Sequence, residues 1–107
     1  GDYESILKKY VSRVNHVHCK DIRKEILNKS LSNDLSFRDS FLEGVFTVPG
    51  DGYINYKPLF ETLYDNKYSK WLIVEAEQDP KKANPLKYAK IGYKYLNKIL
   101  TEVGYKI

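Results

Sequence analysis

The chain has 107 residues, 42% of them hydrophobic and 30% charged, with a net charge of +4 from 18 basic and 14 acidic side chains. That is the size of one small domain, and no apolar run approaches the roughly 18 residues that a membrane helix needs. The lysines are interspersed with acids rather than gathered into a block, so a solvated surface is expected and a nucleic-acid partner is not.

A single cysteine, Cys19, excludes an internal disulfide framework and fits a reducing cytoplasm. The first residues lack a signal-peptide pattern. Methionine is absent, even at position 1, which raises the expectation of a piece of a longer protein.

Residues 2–12 read as a helix, with Ile6, Leu7, Tyr10 and Val11 on one face and Asp2 as N-cap. Residues 13–19, RVNHVHC, read as a strand. Side chains alternate along a strand, which puts Val14, His16, His18 and Lys20 on one face and Asn15, Val17 and Cys19 on the other. The spacing of Ile22, Ile26, Leu27 and Leu31 predicts a short helix over 22–32. A second short helix follows a turn at 32–34, capped by Ser36 with Asp39 three residues on. Such an excursion after a strand is a common place for a binding loop.

Residues 46–55, FTVPGDGYIN, read as a loop with positive φ at Gly50, Gly52 or both. Residues 56–67 read as a helix with Pro58 in its first turn and Leu59, Phe60, Leu63 and Tyr64 as its buried face. The run from Trp71 reads as a second strand. Trp71, Ile73, Glu75 and Glu77 share one of its faces; Leu72, Val74 and Ala76 share the other. Asn84 then caps a long helix with Pro85 at its first position. Its expected apolar stripe is Leu86, Ala89, Tyr93, Leu96, Leu100 and Val103.

Strands alternating with helices imply parallel pairing with crossover connections. Two parallel strands do not make a complete sheet, because both faces need cover and two edges stay free. Polar residues on one face and small apolar ones on the other suit a β/α barrel, with His16, His18, Glu75 and Glu77 converging at its C-terminal mouth. A whole barrel takes about 250 residues and eight strands. The fold class expected is therefore α/β, with residues 1–107 forming the last quarter of a (β/α)8 TIM barrel. The alternative is a small α/β domain that completes its sheet by self-association.

Three segments, HVHCKDIR at 16–23, FTVPGDGYINYKPLF at 46–60 and WLIVEAEQDPKKANPLKYAKIGYKYL at 71–96, resemble the C-terminal region of the inosose dehydratases. These are metal-dependent enzymes of bacterial myo-inositol catabolism within the xylose isomerase-like barrels. The resemblance implies loss of water from 2-keto-myo-inositol, a cyclic polyol ketone. It also implies one divalent metal, Mn²⁺ or Co²⁺ with Mg²⁺ as a further candidate, held by a Glu, an Asp, a His or Gln, and a Glu on the last four strands. By motif match, His18 is the third metal ligand and Glu75 the fourth. The other two would lie on strands upstream of Gly1.

Catalytic roles are expected for Glu75, as the resemblance implies, and for Lys20, from its place toward the mouth, with alternatives at several positions. Lys20 either contacts substrate and moves a proton or forms a salt bridge. His16 is either a satisfied interior histidine or a substrate contact. Glu77 supports the site or pairs with a cation. Arg23 and Asp21 either reach substrate or pair with each other to hold the loop. A sugar isomerase or epimerase on the same scaffold is an alternative activity, and a basic α/β binding module without catalysis is another.

Overall fold

A computed structural model describes residues 1–107. Helix α1 spans Tyr3–Tyr10, and Asp2 caps it by accepting from the Ser5 amide at 3.0 Å. A 3-10 turn at Val11–Arg13 leads into strand β1, His16–Cys19. Two residues, Asp21–Ile22, form β2, followed by α2 at Lys24–Ser32 and α3 at Phe37–Glu43. Strand β3 is Phe46–Thr47, α4 spans Lys57–Asp65, β4 is Trp71–Val74 and α5 is Pro85–Val103.

Strands β1 and β4 pair in parallel, with His16, Val17, His18 and Cys19 opposite Trp71, Leu72, Ile73 and Val74. The Glu75 amide adds one rung by donating to the Cys19 carbonyl at 3.0 Å. Alternation then sorts the side chains as expected. Cys19 is buried with Tyr56, Phe60, Leu63, Tyr68, Leu96 and Leu100, and Val17, Leu72 and Val74 pack against that core. The opposite face carries His16, His18 and Trp71, all exposed. Two buried tyrosines pin the pair at its ends. Tyr68 donates to the carbonyls of Asn15 and Trp71 at the start, and Tyr56 donates to the Lys20 carbonyl at 2.5 Å past the end. The molecule is thus an open α/β unit, helices on one side of a parallel pair, with no closed barrel.

Several sequence expectations are corrected. The first strand begins at His16, not at 13. The 3-10 turn uses the preceding residues, and Val14 packs against the core instead of lying beside the histidines. The second strand ends at Val74, short of Glu77. The first excursion helix starts at Lys24 because Asp21 and Ile22 pair antiparallel with Thr47 and Phe46. That ladder also replaces the first two residues of the expected 46–55 loop; a two-residue strand is too short to leave a periodic signal. Within the turn that follows, Gly50 takes the expected positive φ, +92°, which glycine adopts without steric cost.

The α5 stripe is half right. Leu96 and Leu100 are buried, but Leu86 and Tyr93 are 65% and 63% exposed. The face that meets the sheet runs instead through Tyr88, Gly92, Tyr95 and Leu96. Gly92 sets it: a β-carbon there would lie 2.6 Å from Val74 Cγ1 and 3.3 Å from Val48 Cβ. The helix approaches the strand most closely at a residue with no side chain, which a hydrophobicity pattern cannot register.

Candidate active site at the strand ends

Past the C-terminal ends of β1 and β4, four polar side chains meet. His18 Nδ1 lies 2.9 Å from Glu75 Oε2, Lys20 Nζ lies 3.4 Å from Glu75 Oε1, and Lys20 Nζ lies 2.9 Å from Glu77 Oε2. The register explains the meeting. His18 is opposite Ile73, so Glu75, two residues on, shares its face. Lys20 and Glu77 continue the alternation on both chains after the regular ladder has ended. Glu75 offers one oxygen to each neighbour.

The side chains of Lys20 and Glu75 are about one-third exposed, 29% and 32%, and those of Glu77 and His18 more so. The His18 hydrogen bond and then the Lys20 charge hold the Glu75 carboxyl below the usual glutamate range. The Glu77 hydrogen bond holds Lys20 above the usual lysine value against the opposing desolvation, and the charge of Glu75 adds to the rise. Lys20 therefore stands as an ammonium between two carboxylates. The face of the Phe46 ring lies 5.3 Å from it, within the range of a cation–π interaction.

An imidazole nitrogen and a carboxylate oxygen are donor types that suit hard or borderline divalent cations. Neighbouring ligands of an octahedral ion bound at about 2.1 Å lie about 3.0 Å apart, close to the 2.9 Å seen between His18 Nδ1 and Glu75 Oε2. In donor type and spacing the pair fits one edge of a metal shell. The chain holds no group of three or more His, Cys, Asp or Glu able to bind an ion. Cys19 takes no part: it faces the core, and burial pushes its thiol up to about 12.

The remaining candidates fall elsewhere. His16 is exposed at the start of β1, opposite Trp71, and lines a separate opening with Asn15, Ser69 and Lys70. The interior position expected for it does not form within this chain. Asp21 and Arg23 do not pair with each other. Asp21 is 1% exposed; its Oδ1 accepts from the amides of Ile22, Tyr53 and Ile54, while Oδ2 has no partner. Burial raises its pKa, against the three amide bonds. Arg23 bonds Asp51 at 2.6 Å, with further bonds to Thr47, Tyr88 and backbone carbonyls. Sequence reasoning missed Thr47, Asp51 and Tyr88 because the 46–55 segment and the last helix that supply them are far from Arg23 in sequence. The only local signal was the Asp51 turn.

Residues 1–99 match the model of the xylose isomerase-like TIM barrel family. An inosose dehydratase of Bacillus velezensis is 49% identical over 102 residues, covering 95% of this chain and 34% of that protein. An inosose dehydratase of Mesomycoplasma hyopneumoniae is 54% identical over 96 residues, 89% of this chain and 32% of the relative. The rhizopine catabolism protein MocC of Rhizobium meliloti is 44% identical over 107 residues, 100% of this chain and 33% of its own length. The chain thus spans about one third of the length of the curated relatives it matches. With two parallel strands backed by helices and a family match over nearly all its residues, the chain belongs to the xylose isomerase-like TIM barrel family.

Proposed function

We propose that this chain contributes the last two strands of the barrel of a cytoplasmic, metal-dependent carbon–oxygen lyase that dehydrates 2-keto-myo-inositol. The observation that carries the reading is the meeting of His18, Lys20 and Glu75 beyond the ends of two parallel strands, where barrel enzymes assemble their chemistry. The relatives named inosose dehydratase supply the substrate class.

His18 and Glu75 would hold a divalent cation, Mn²⁺ or Co²⁺ with Mg²⁺ as a further candidate, together with carboxylates from other barrel strands. A cation held there supplies Lewis-acid stabilisation for negative charge developing on substrate oxygens. The rest of the step belongs to side chains. Glu75 takes the proton from the carbon beside the ketone. The electron pair released forms the new carbon–carbon double bond as the neighbouring C–O bond breaks. Lys20, kept charged by Glu77 and Glu75, donates to the departing hydroxyl, which leaves as water. His16 is assigned a contact with a distal substrate hydroxyl.

The test is an assay of the full-length protein containing this chain with 2-keto-myo-inositol, following by absorbance the enol that this step releases, the tautomer of a trihydroxycyclohexane-dione. Chelation is expected to abolish turnover and Mn²⁺ or Co²⁺ to restore it. His18→Ala and Glu75→Gln should each remove the metal-dependent rate; full activity in both variants would overturn the site assignment. Interconversion of keto sugars without loss of water would replace the lyase with an isomerase or epimerase.

A further inference from the structure

The Arg23 guanidinium ties together parts of the chain that sequence keeps far apart. Nη1 donates to the Gly44 carbonyl at 2.6 Å and to the Phe46 carbonyl at 3.4 Å. Nη2 donates to Thr47 Oγ1 at 3.2 Å, Asp51 Oδ2 at 2.6 Å and the Tyr88 hydroxyl at 3.2 Å. Gly44 ends α3, Phe46 and Thr47 are β3, Asp51 lies in the following turn and Tyr88 in the first turns of α5. Thr47 also donates to Asp51 at 2.6 Å, closing the network.

Phe46 connects this network to the site. Its backbone carbonyl is held by Arg23, while its ring faces the Lys20 ammonium at 5.3 Å and packs on the Phe37 ring at 5.7 Å. Its neighbour Thr47 is the ladder partner of Asp21, the residue after Lys20. Lysine is a flexible four-carbon arm ending in a point charge, whereas arginine is a rigid fork able to satisfy several acceptors at once. A lysine asked to donate to one substrate oxygen needs its reach fixed, and a guanidinium with both terminal nitrogens engaged within the chain suits holding better than binding.

We infer that Arg23 is a positioning residue: by stapling β3 to the Asp51 turn and α5, it fixes the Phe46 ring that holds the Lys20 ammonium toward Glu75 and Glu77. The catalytic consequence rests on the proposed lyase reading; the placement of Lys20 does not.

The first test is a spectroscopic one on the 107-residue chain. The ε-methylene protons of Lys20 should resonate upfield of the other lysines because the ammonium they adjoin is held over the Phe46 ring, and Phe46→Leu should remove that shift. Arg23→Lys should also lose it, with the Leu96 and Leu100 methyl resonances of the core unchanged. If Arg23→Lys does not fold, Asp51→Asn loosens the same staple from the other side and should reduce the shift. An unshifted Lys20 in the wild type, or a full shift retained in the folded staple variant, would overturn the inference. The second test uses the full-length protein, where Arg23→Lys should lower kcat for 2-keto-myo-inositol roughly tenfold, as a small misplacement of a reacting group does, with KM within about twofold. A raised KM with unchanged kcat would make Arg23 a substrate-binding residue instead and sink the positioning role. A wild-type protein with no turnover at all would remove the lyase reading, and the Lys20 resonance would still decide the inference.

Discussion

His18 and Glu75, 57 positions apart in the chain, meet at 2.9 Å between Nδ1 and Oε2. A parallel pair in the register Cys19 opposite Val74 brings them there, and a one-residue slip would send Glu75 to the other face. The hydrogen bond that joins them is a pH-sensitive contact with a defined sign. Glu75 is held below the ordinary glutamate range. Its contribution to stability is therefore present above the unfolded-state glutamate pKa and lost as pH falls through the lower folded value. In a carboxyl NMR titration Glu75 should protonate below the ordinary glutamate range, and His18→Ala should move its midpoint upward. An unchanged midpoint in that variant would show that His18 does not set the charge of Glu75.

The two donors offer only one edge of a metal shell. The 107-residue chain alone is expected to bind Mn²⁺ or Co²⁺ weakly and to show no dehydration of 2-keto-myo-inositol. Because metal ligands must be deprotonated to bind a cation, what affinity there is should fall as pH drops. Calorimetric titration and an activity assay check both statements, and measurable turnover by the chain would contradict the need for further strands.

Gly92→Ala separates helix propensity from packing. Alanine favours a helix interior over glycine by about 1 kcal/mol. The new β-carbon, however, would sit 2.6 Å from a methyl of Val74, a side chain with little rotamer freedom. Overpacking of this kind costs about 1–3 kcal/mol, so net destabilisation is expected in urea unfolding. A gain in stability would mean that α5 can move away from β4 at little cost.

Asp21 gives the opposite pH sign from Glu75. Its folded pKa is raised by burial, so its contribution to stability is greatest below the unfolded aspartate pKa and declines as pH rises through the folded value. Asp21→Asn keeps an oxygen for the three amides and removes the buried charge; near neutral pH it should be at least as stable as the wild type. Asp21→Ala leaves the Ile22, Tyr53 and Ile54 amides without their acceptor, and a loss of at least about 1–3 kcal/mol is expected. Thermal unfolding of the two variants across pH distinguishes the cases. Equal losses in both would assign the role of Asp21 to its charge.

The open face carries Trp71, 71% exposed, beside the free edges of β1 and β4. Unpaired strand edges next to an exposed apolar surface favour association. The isolated chain is expected to self-associate, giving a scattering mass above 12.5 kDa that falls when Trp71 is replaced by Lys. A monomer at high concentration would show that this face is stable in water.

Much of the architecture was legible locally. Asp2, Ser36 and Asn84 accept from amides three residues on, because a helix start needs an acceptor whatever surrounds it. The two main strands and their inward and outward faces followed from alternation, which is a property of the backbone. Alternation and the barrel reading brought His18 and Glu75 to one mouth together with His16 and Glu77; singling them out as a pair required the motif resemblance, since nothing local fixes the register of strands half the chain apart.

Other features depended on proximity. Alternation put Glu75 and Glu77 on one face as two similar acids. The folded chain distinguishes them: Glu75 bridges His18 and Lys20, while Glu77 binds Lys20. Arg23 gathers Gly44, Phe46, Thr47, Asp51 and Tyr88, a set with no common spacing. Gly92 turned the buried face of α5 away from the stripe that its apolar residues suggest. By itself the sequence determined which segments form helices and strands and which way their side chains alternate, because those follow from backbone geometry within a few residues. Only the tertiary structure decided who meets whom, because that depends on how closely separate segments can approach.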